Sequence, residues 1–457
     1  MTESQIYLGI GLIFALGVGC QVVAGRLRLP AIVLLLPVGF VAGTITQTVN
    51  ARTFLGSAFT PMVTLGIAVI LFDGGLELEF AQLEGHNHRV VRRLLYWGIP
   101  LTWAGAGLLA WALLGLSTKA AVMLGAIVIV SGPTVVGPLL QMARPGRRLT
   151  GILGWESTTI DPIGAIIGVL VFTGLQSGGD RVHLGHAAAA FGADIGVGLL
   201  GGAVGAAALW FLLGRVKLSG ILATEVTLAA VVAAAGFCNA IRADTGLLAA
   251  ITMGVALANL PGVERPQDRP FFATIVQLVV AVLFITISAS VTPSQLRGVL
   301  GPTLVLVVGL IVVVRPVVAL TATVRTDLTW PERTYVAMMD PRGIVAASTA
   351  ATFGPALAAV GIGGAQKLVP ATFVVIVGTV TFYGLTAVPA ARRLGLTAEE
   401  PAPAGPAPDG PDPDGPAPTS PEWPDDPAAA ARPDRLAGGP AEPESPGSGD
   451  ARGAGPP

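Results

Sequence analysis

The sequence predicts an all-α, polytopic membrane protein of about thirteen transmembrane helices. Three observations carry this reading. Of 457 residues, 52% are apolar and only 12% are charged, about half the charged share of an ordinary soluble domain. Mean hydropathy is +0.72. Residues 1–396 also divide into apolar stretches of roughly 17–29 residues, the length that spans a bilayer core. A soluble enzyme is the wrong default for such a chain, and a net charge of −1 gives no electrostatic footprint for nucleic acid.

In chain order the expected helices cover 5–25, 30–48, 60–79, 91–115, 119–141, 149–175, 187–214, 219–241, 244–260, 270–290, 298–323, 333–356 and 368–391. The first follows Met1 to Gln5 with no basic stretch and no cleavage site, which marks a retained helix rather than a signal peptide. The connections alternate in basic charge. One set holds Arg26, Arg28, Arg89, Arg92, Arg93, Arg144, Arg147, Arg148, Arg215, Lys217, Arg265, Arg269, Arg325, Arg333, Arg392 and Arg393. The other holds only Arg52, Lys119, Arg181, Arg242, Arg297 and Lys367. The positive-inside rule then puts the N-terminus outside and the C-terminus in the cytoplasm. The alternation itself supports an odd number of helices. Cys20 and Cys238 both lie in apolar stretches and read as ordinary buried thiols.

Composition changes near Thr397. Residues 397–457 hold 17 of the 36 prolines, 12 acidic residues and 3 basic ones. With no apolar run to bury, they read as a disordered cytoplasmic tail.

Six ionisable residues fall inside expected helices: Asp73, Glu156, Asp161, Arg315, Asp340 and Arg342. Asp194 and Glu225 sit nearer helix ends. A charge at the bilayer centre costs at least about 2.5–3.5 kcal/mol on insertion scales, so each needs a partner or a task. For Arg315, Asp340 and Arg342, structural pairing between helices is as good a reading as a transport role. Asp161 is the stronger candidate for a task.

Two helices carry breakers. Ser131-Gly132-Pro133-Thr134-Val135-Val136-Gly137-Pro138 interrupts the fifth, and Asp340-Pro341-Arg342-Gly343 interrupts the twelfth. Gly132, Pro133, Pro138, Pro341 and Gly343 cannot continue regular helix there. In a bilayer such open backbone survives only when buried in protein or lining a cavity. The odd spacing of seven between the two broken helices inverts one relative to the other, as in inverted-repeat carriers. Asp340 and Arg342 suit the duty of neutralising the half-helix ends that meet at such a crossing.

The sixth helix carries Gly154-Trp155-Glu156-Ser157-Thr158-Thr159-Ile160-Asp161-Pro162. Ser157 and Asp161 lie one turn apart on one face, whereas Glu156 and Asp161 are about 140° apart. Pro162 cannot donate to the carbonyl of residue 158. A carboxylate, a hydroxyl and loose carbonyls are the oxygen donors a small hard cation wants. Asp161 can hold a proton or such a cation, one at a time. Ser131 and Thr134, at the first break, join Asp161 and Ser157 as candidate ligands.

These residues, with Leu71-Phe72-Asp73-Gly74-Gly75-Leu76, Arg315-Pro316 and Pro341-Arg342-Gly343, resemble the cation:proton antiporter superfamily in its sodium/proton exchanger branch. The resemblance covers essentially all of 1–396. It implies thirteen helices in the sodium/proton antiporter fold, inverted repeats with two crossing broken helices, and a homodimer. It implies a moving six-helix core, over about 91–175 and 298–391, against a dimerisation side. It makes Asp161 the ion- and proton-binding carboxylate, Ser157 a hydroxyl ligand, and Glu156 the partner of Arg342. Asp73, Arg315 and Asp340 are secondary candidates. Two departures stand out: many members have Thr-Asp-Pro where this chain has Ser131-Gly132-Pro133, and Asn-Asp where it has Ile160-Asp161. The second carboxylate at the crossing is therefore missing.

The expected activity is electroneutral exchange of Na+ or K+ for H+ by alternating access in the cell membrane, serving pH and cation homeostasis. No cofactor and no zinc or divalent site is expected. The Glu84-Gly85-His86-Asn87-His88 stretch reads as a solvated loop, since a structural zinc site wants four ligands. The competing reading is a carrier for a small organic ion on the same inverted-repeat scaffold. A channel is disfavoured, because a lone buried carboxylate would trap a cation.

Overall fold

The computed structural model of the chain describes residues 2–27, 29–76, 78, 87–176, 184–216, 220–242, 245–261 and 270–397. Among them every regular element is helical. The α-helices are α1 (Glu3–Leu27), α2 (Ala31–Ile45), α3 (Ala51–Leu55), α4 (Phe59–Leu76), α5 (Asn87–Leu114), α6 (Thr118–Val128), α7 (Pro133–Ala143), α8 (Arg147–Gln176) and α9 (Leu184–Arg215). They continue as α10 (Gly220–Ile241), α11 (Thr245–Asn259), α12 (Pro270–Ala289), α13 (Pro293–Leu296), α14 (Leu300–Gly309), α15 (Arg315–Thr323), α16 (Trp330–Ala337), α17 (Ile344–Ala359) and α18 (Leu368–Arg393). The expected tail from residue 398 onward, and Glu84, Gly85 and His86, lie outside the described residues.

By length and composition nine of the described helices can cross a membrane, or ten when the bent pair α6 and α7 counts as one span. That test does not reach the thirteen spans expected from the sequence. Helices α2, α11 and α17 are apolar but only 15, 15 and 16 residues long. A 15-residue helix rises about 22 Å, short of the ~30 Å hydrocarbon core.

Apolar side chains cover the outside of the bundle: Phe14, Trp97, Leu200, Phe211, Phe237 and Val312 are all exposed, while Glu156, Asp161, Arg315 and Arg342 are buried. Lipid as solvent selects this arrangement. The chain is a multi-pass membrane protein.

Helix α11 lies against α4 and α9, α12 against α2, and α5 against α6 and α15. Helix α8 meets α5, α6, α7 and α17, which sets its polar stretch at the centre. Local chemistry fixes the half-helices around it. Ser117 caps α6 by accepting from the Ala120 amide. Pro133 opens α7, where its missing N–H is harmless. Thr329 and Glu332 form a capping box at the start of α16.

The two breaks cross at a pair of glycines. A Cβ on Gly343 would stand 2.6 Å from the Cα of Gly132, and one on Gly132 would stand 2.8 Å from the Cα of Gly343. Both backbones are extended, so the close approach, not a special φ, demands glycine here. A second adjustment lies between α14 and α15, where Leu310–Val314 forms a π-helical turn. Pro316 lacks an N–H, and its ring crowds the carbonyl four residues back. The wider turn relieves that clash, and Arg315 beside it ends up buried.

Candidate ion-binding site

Four charged side chains at the crossing form two closed pairs. Arg315 grips Glu156 with both ends of its guanidinium, Nη1 to Oε1 at 2.5 Å and Nη2 to Oε2 at 2.9 Å. Its Nε donates to the carbonyl of Val336 at 3.0 Å, in the last turn of α16. Arg342 donates through Nη2 to Asp340 Oδ2 at 2.6 Å and through Nη1 to the carbonyl of Ile129 at 3.0 Å. Ile129 is the C-terminal cap of α6. Each arginine thus caps the carbonyl end of one half-helix, where the helix dipole is negative, and each is balanced by one carboxylate. The neutralising duty expected of Asp340 and Arg342 is shared with Arg315 and Glu156.

The pairing expected between Glu156 and Arg342 is not the one that forms. The Arg342 guanidinium is taken by Asp340, two residues away on the same non-helical segment, and by the end of α6. Glu156, about 140° around α8 from Asp161, meets Arg315 of α15 instead. All four groups are buried, so these are pairs whose breakage would strand a charge.

Asp161 lies outside both pairs. It is 1% exposed, and its Oδ1 has no hydrogen-bond partner among the described residues. Its place follows from its neighbours on the α8 face. Thr158, three residues before it, touches the position where a Cβ on Gly74 of α4 would sit, 3.6 Å away, and Pro133 flanks the same point at 3.5 Å. Gly164, three residues after it, lies so close to Val130 that a Cβ would stand 2.5 Å from Cγ2. Residues three apart share a helix face, so the Asp161 face of α8 is held against the first break, Val130 to Pro133.

Thr134 begins α7 just beyond that break, and its Oγ1 is also buried without a partner among the described residues. Ser131 is buried in the break itself. Ser157 is buried and donates to the carbonyl of Gly154 at 3.0 Å, which leaves its oxygen free to accept a cation. The helix breakers Gly132, Pro133, Pro341 and Gly343 all sit at the crossing, whereas Pro138 is carried inside α7. Asp73 is half-buried near the end of α4, beside the Gly74 contact.

The remaining candidates fall elsewhere. Asp194 pairs with Arg242, and Glu225 is exposed on α10. Asn87, from the histidine-bearing stretch, begins α5 and accepts from Arg148 Nε at 3.0 Å. Sequence reasoning missed the role of Arg315 as the partner of Glu156. Its signal was present, an Arg-Pro step inside an apolar span, but nothing in the spacing names a partner 159 residues away.

Comparison with known proteins identifies the family. The family model described as sodium/hydrogen exchanger, transmembrane, matches residues 12–393. The K(+)/H(+) antiporter NhaP2 of Shewanella sp. (strain ANA-3) is 25% identical over 390 residues, covering 85% of this chain and 67% of that relative. The chain spans only 54% of the NhaP2 of Shewanella oneidensis. A probable Na(+)/H(+) antiporter 2 of Methanocaldococcus jannaschii is 23% identical, over 76% of this chain and 84% of its own length. Among solved structures, the sodium proton antiporter MjNhaP1 of Methanocaldococcus jannaschii at pH 8 superposes with a TM-score of 0.70 at 21% identity, covering 85% of this chain and 99% of that one. This last likeness concerns the fold. The chain belongs to the sodium/hydrogen exchanger family of membrane proteins.

Proposed function

We propose that the chain is a secondary antiporter that exchanges Na+ or K+ for H+ across the cell membrane by alternating access, one cation for one proton. The observation that carries this reading is the charge balance at the crossing. Glu156 is matched by Arg315 and Asp340 by Arg342, while Asp161 is buried outside both pairs with an unpartnered oxygen. Such a carboxylate is neutral with a proton on it and neutral with a monovalent cation on it. Ser131, Thr134 and Ser157 supply further oxygens. The relatives named as K(+)/H(+) and Na(+)/H(+) antiporters support the same exchange and do not favour an organic ion.

The helices over about 91–175 and 298–391 would move as the core, with the rest as the dimerisation side of a homodimer. A cavity of about 260 Å³ between α4 and α12 on one side and α17 and α18 on the other supports that division; Phe59, Ser290, Gln295, Ala351 and Phe373 line it. A smaller space is lined by Thr64, Ala165, Ser348 and Thr349, and Ala165 is one turn from Asp161. With the N-terminus outside and the C-terminus in the cytoplasm, both belong to the outer half and would serve as the outward access route. The physiological role is pH and cation homeostasis.

Asp161→Asn keeps the size of the side chain and removes its charge and its exchangeable proton. In proteoliposomes, cation-driven proton flux should fall to the protein-free background while the variant still elutes as a single species. Flux near the wild-type rate would overturn the assignment.

A further inference from the structure

We infer that Asp340 is a positioning residue for cation binding: it holds the Arg342 guanidinium off Asp161, so that the cation meets a carboxylate with no built-in competitor. The inference rests on the reading of Asp161 as the ion-binding group.

Two unmet groups of opposite charge motivate it. Arg342 Nε and Asp161 Oδ1 are both buried, and neither has a hydrogen-bond partner among the described residues. Both belong to the same break: Arg342 Nη1 donates to the carbonyl of Ile129, Gly343 beside it is packed on Gly132, and the Asp161 face of α8 is held against Val130 to Pro133. A buried N–H without an acceptor and a buried carboxylate oxygen without a donor are each unfavourable, so the two would gain by joining. They do not join. The guanidinium is drawn the other way, by Asp340 Oδ2 at 2.6 Å and by the carbonyl of Ile129 at 3.0 Å.

The backbone explains why Asp340 can do this. Asp340 and Arg342 are two apart on the non-helical segment between α16 and α17, and their side chains meet on one side of it. The segment is fixed by the Arg342 amide, which donates to Thr379 Oγ1 at 3.1 Å. The first break cannot supply the restraining carboxylate. The contact between Gly132 and Gly343 leaves no room for a side chain at 132. The negative charge absent from the first broken helix is thus provided by the second.

Without Asp340, Arg342 keeps one carbonyl partner and a full charge, and Asp161, the buried acid at this break that lies outside the Glu156–Arg315 pair, is left to take it. The guanidinium would then occupy the carboxylate in place of the substrate cation. The expected signature is a weaker apparent affinity for the cation at a nearly unchanged maximal rate.

The test is the cation dependence of proton flux in proteoliposomes of the full chain, at fixed pH, with Na+ and K+ supplied in turn. Asp340→Asn and Asp340→Ser both remove the charge, and whichever is recovered as folded protein carries the measurement. Half-saturation should rise by about tenfold, equivalent to about 1.4 kcal/mol, with the saturated rate little changed. Asp340→Glu should restore the wild-type half-saturation. So should adding Arg342→Gln to Asp340→Asn, because no competing cation then remains. A purely structural role would lower yield or maximal rate and leave half-saturation in place, and that result would overturn the inference. Half-saturation that stays raised in the double variant would overturn it as well. Asp161→Asn, run in parallel, separates the two readings. If it still exchanges, the site assignment fails; if it is inactive while the Asp340 variants bind normally, only the present inference fails.

Discussion

Glu156→Gln removes one half of an ion pair that water does not reach. Arg315 and Glu156 are 3% and 5% exposed at their side chains, and two hydrogen bonds join them at 2.5 and 2.9 Å. In the variant Arg315 keeps the carbonyl of Val336 but loses the carboxylate that both of its Nη atoms bond. Stranding a buried charge in this way costs about 3–5 kcal/mol. At roughly 2 °C per kcal/mol for a large domain, the melting temperature in detergent should drop by roughly 6–10 °C. Arg315→Gln should cost a similar amount, because it strands Glu156 instead. The double change leaves two neutral amides of similar size and should recover part of the loss. The assay is a thermal-shift cycle on purified protein, with Glu156→Gln and Arg342→Gln as the control pair. Contacting residues are coupled and separate ones add, so the Arg315 cycle should be non-additive and the Arg342 cycle close to additive. Additivity with Arg315, or stronger coupling of Glu156 to Arg342, would refute the pairing scheme.

Gly343→Ala should be damaging out of proportion to one methyl group, since its Cβ would stand 2.6 Å from backbone at Gly132. Overpacking of this kind costs about 1–3 kcal/mol, and a thermal-shift measurement paired with the flux assay should show loss of both stability and exchange. Arg148→Gln breaks a half-exposed bridge to Asp327 at 2.7 Å and should change stability by less than about 1 kcal/mol, read in the same thermal-shift assay. Deleting 399–457 should leave exchange in liposomes within about tenfold of the full chain, about 1.4 kcal/mol in barrier; a greater loss would show that the tail regulates the membrane part.

How far the sequence could be read depended on whether a feature was written locally. Gly132-Pro133 and Pro341-Arg342-Gly343 dictate backbone by their own covalent structure, and both breaks lie where those residues put them. The expected division of 219–260 into two helices is found, with α10 and α11 separate. Asp161 stood out because an acid beside the proline-loosened turn of an apolar helix needs a reason. Partners were not legible. Glu156 had two arginines available, Arg315 and Arg342, and the choice depends on the π-helical turn before Pro316 and on the pull of Ile129 and Asp340 on Arg342. The sequence displays both ingredients but not their meeting in space. The number of membrane crossings was legible only in part: α2, α11 and α17 are apolar, and their lengths of 15, 15 and 16 residues appear only when the backbone is traced.

The central claim is that one free carboxylate, Asp161, makes the exchange one cation for one proton. A null-point experiment tests it most directly. Proteoliposomes are prepared with a fixed proton gradient and the membrane potential held at zero, and the opposing cation gradient is varied until net proton flux vanishes. One-for-one exchange predicts a null point where the two concentration ratios are equal. It also predicts that the null point stays there when a potential is imposed, whereas each net charge moved would contribute about 2.3 kcal/mol per 100 mV. A null point at the square of the proton ratio, shifting with potential, would contradict the account and mark half-buried Asp73 as a second proton carrier.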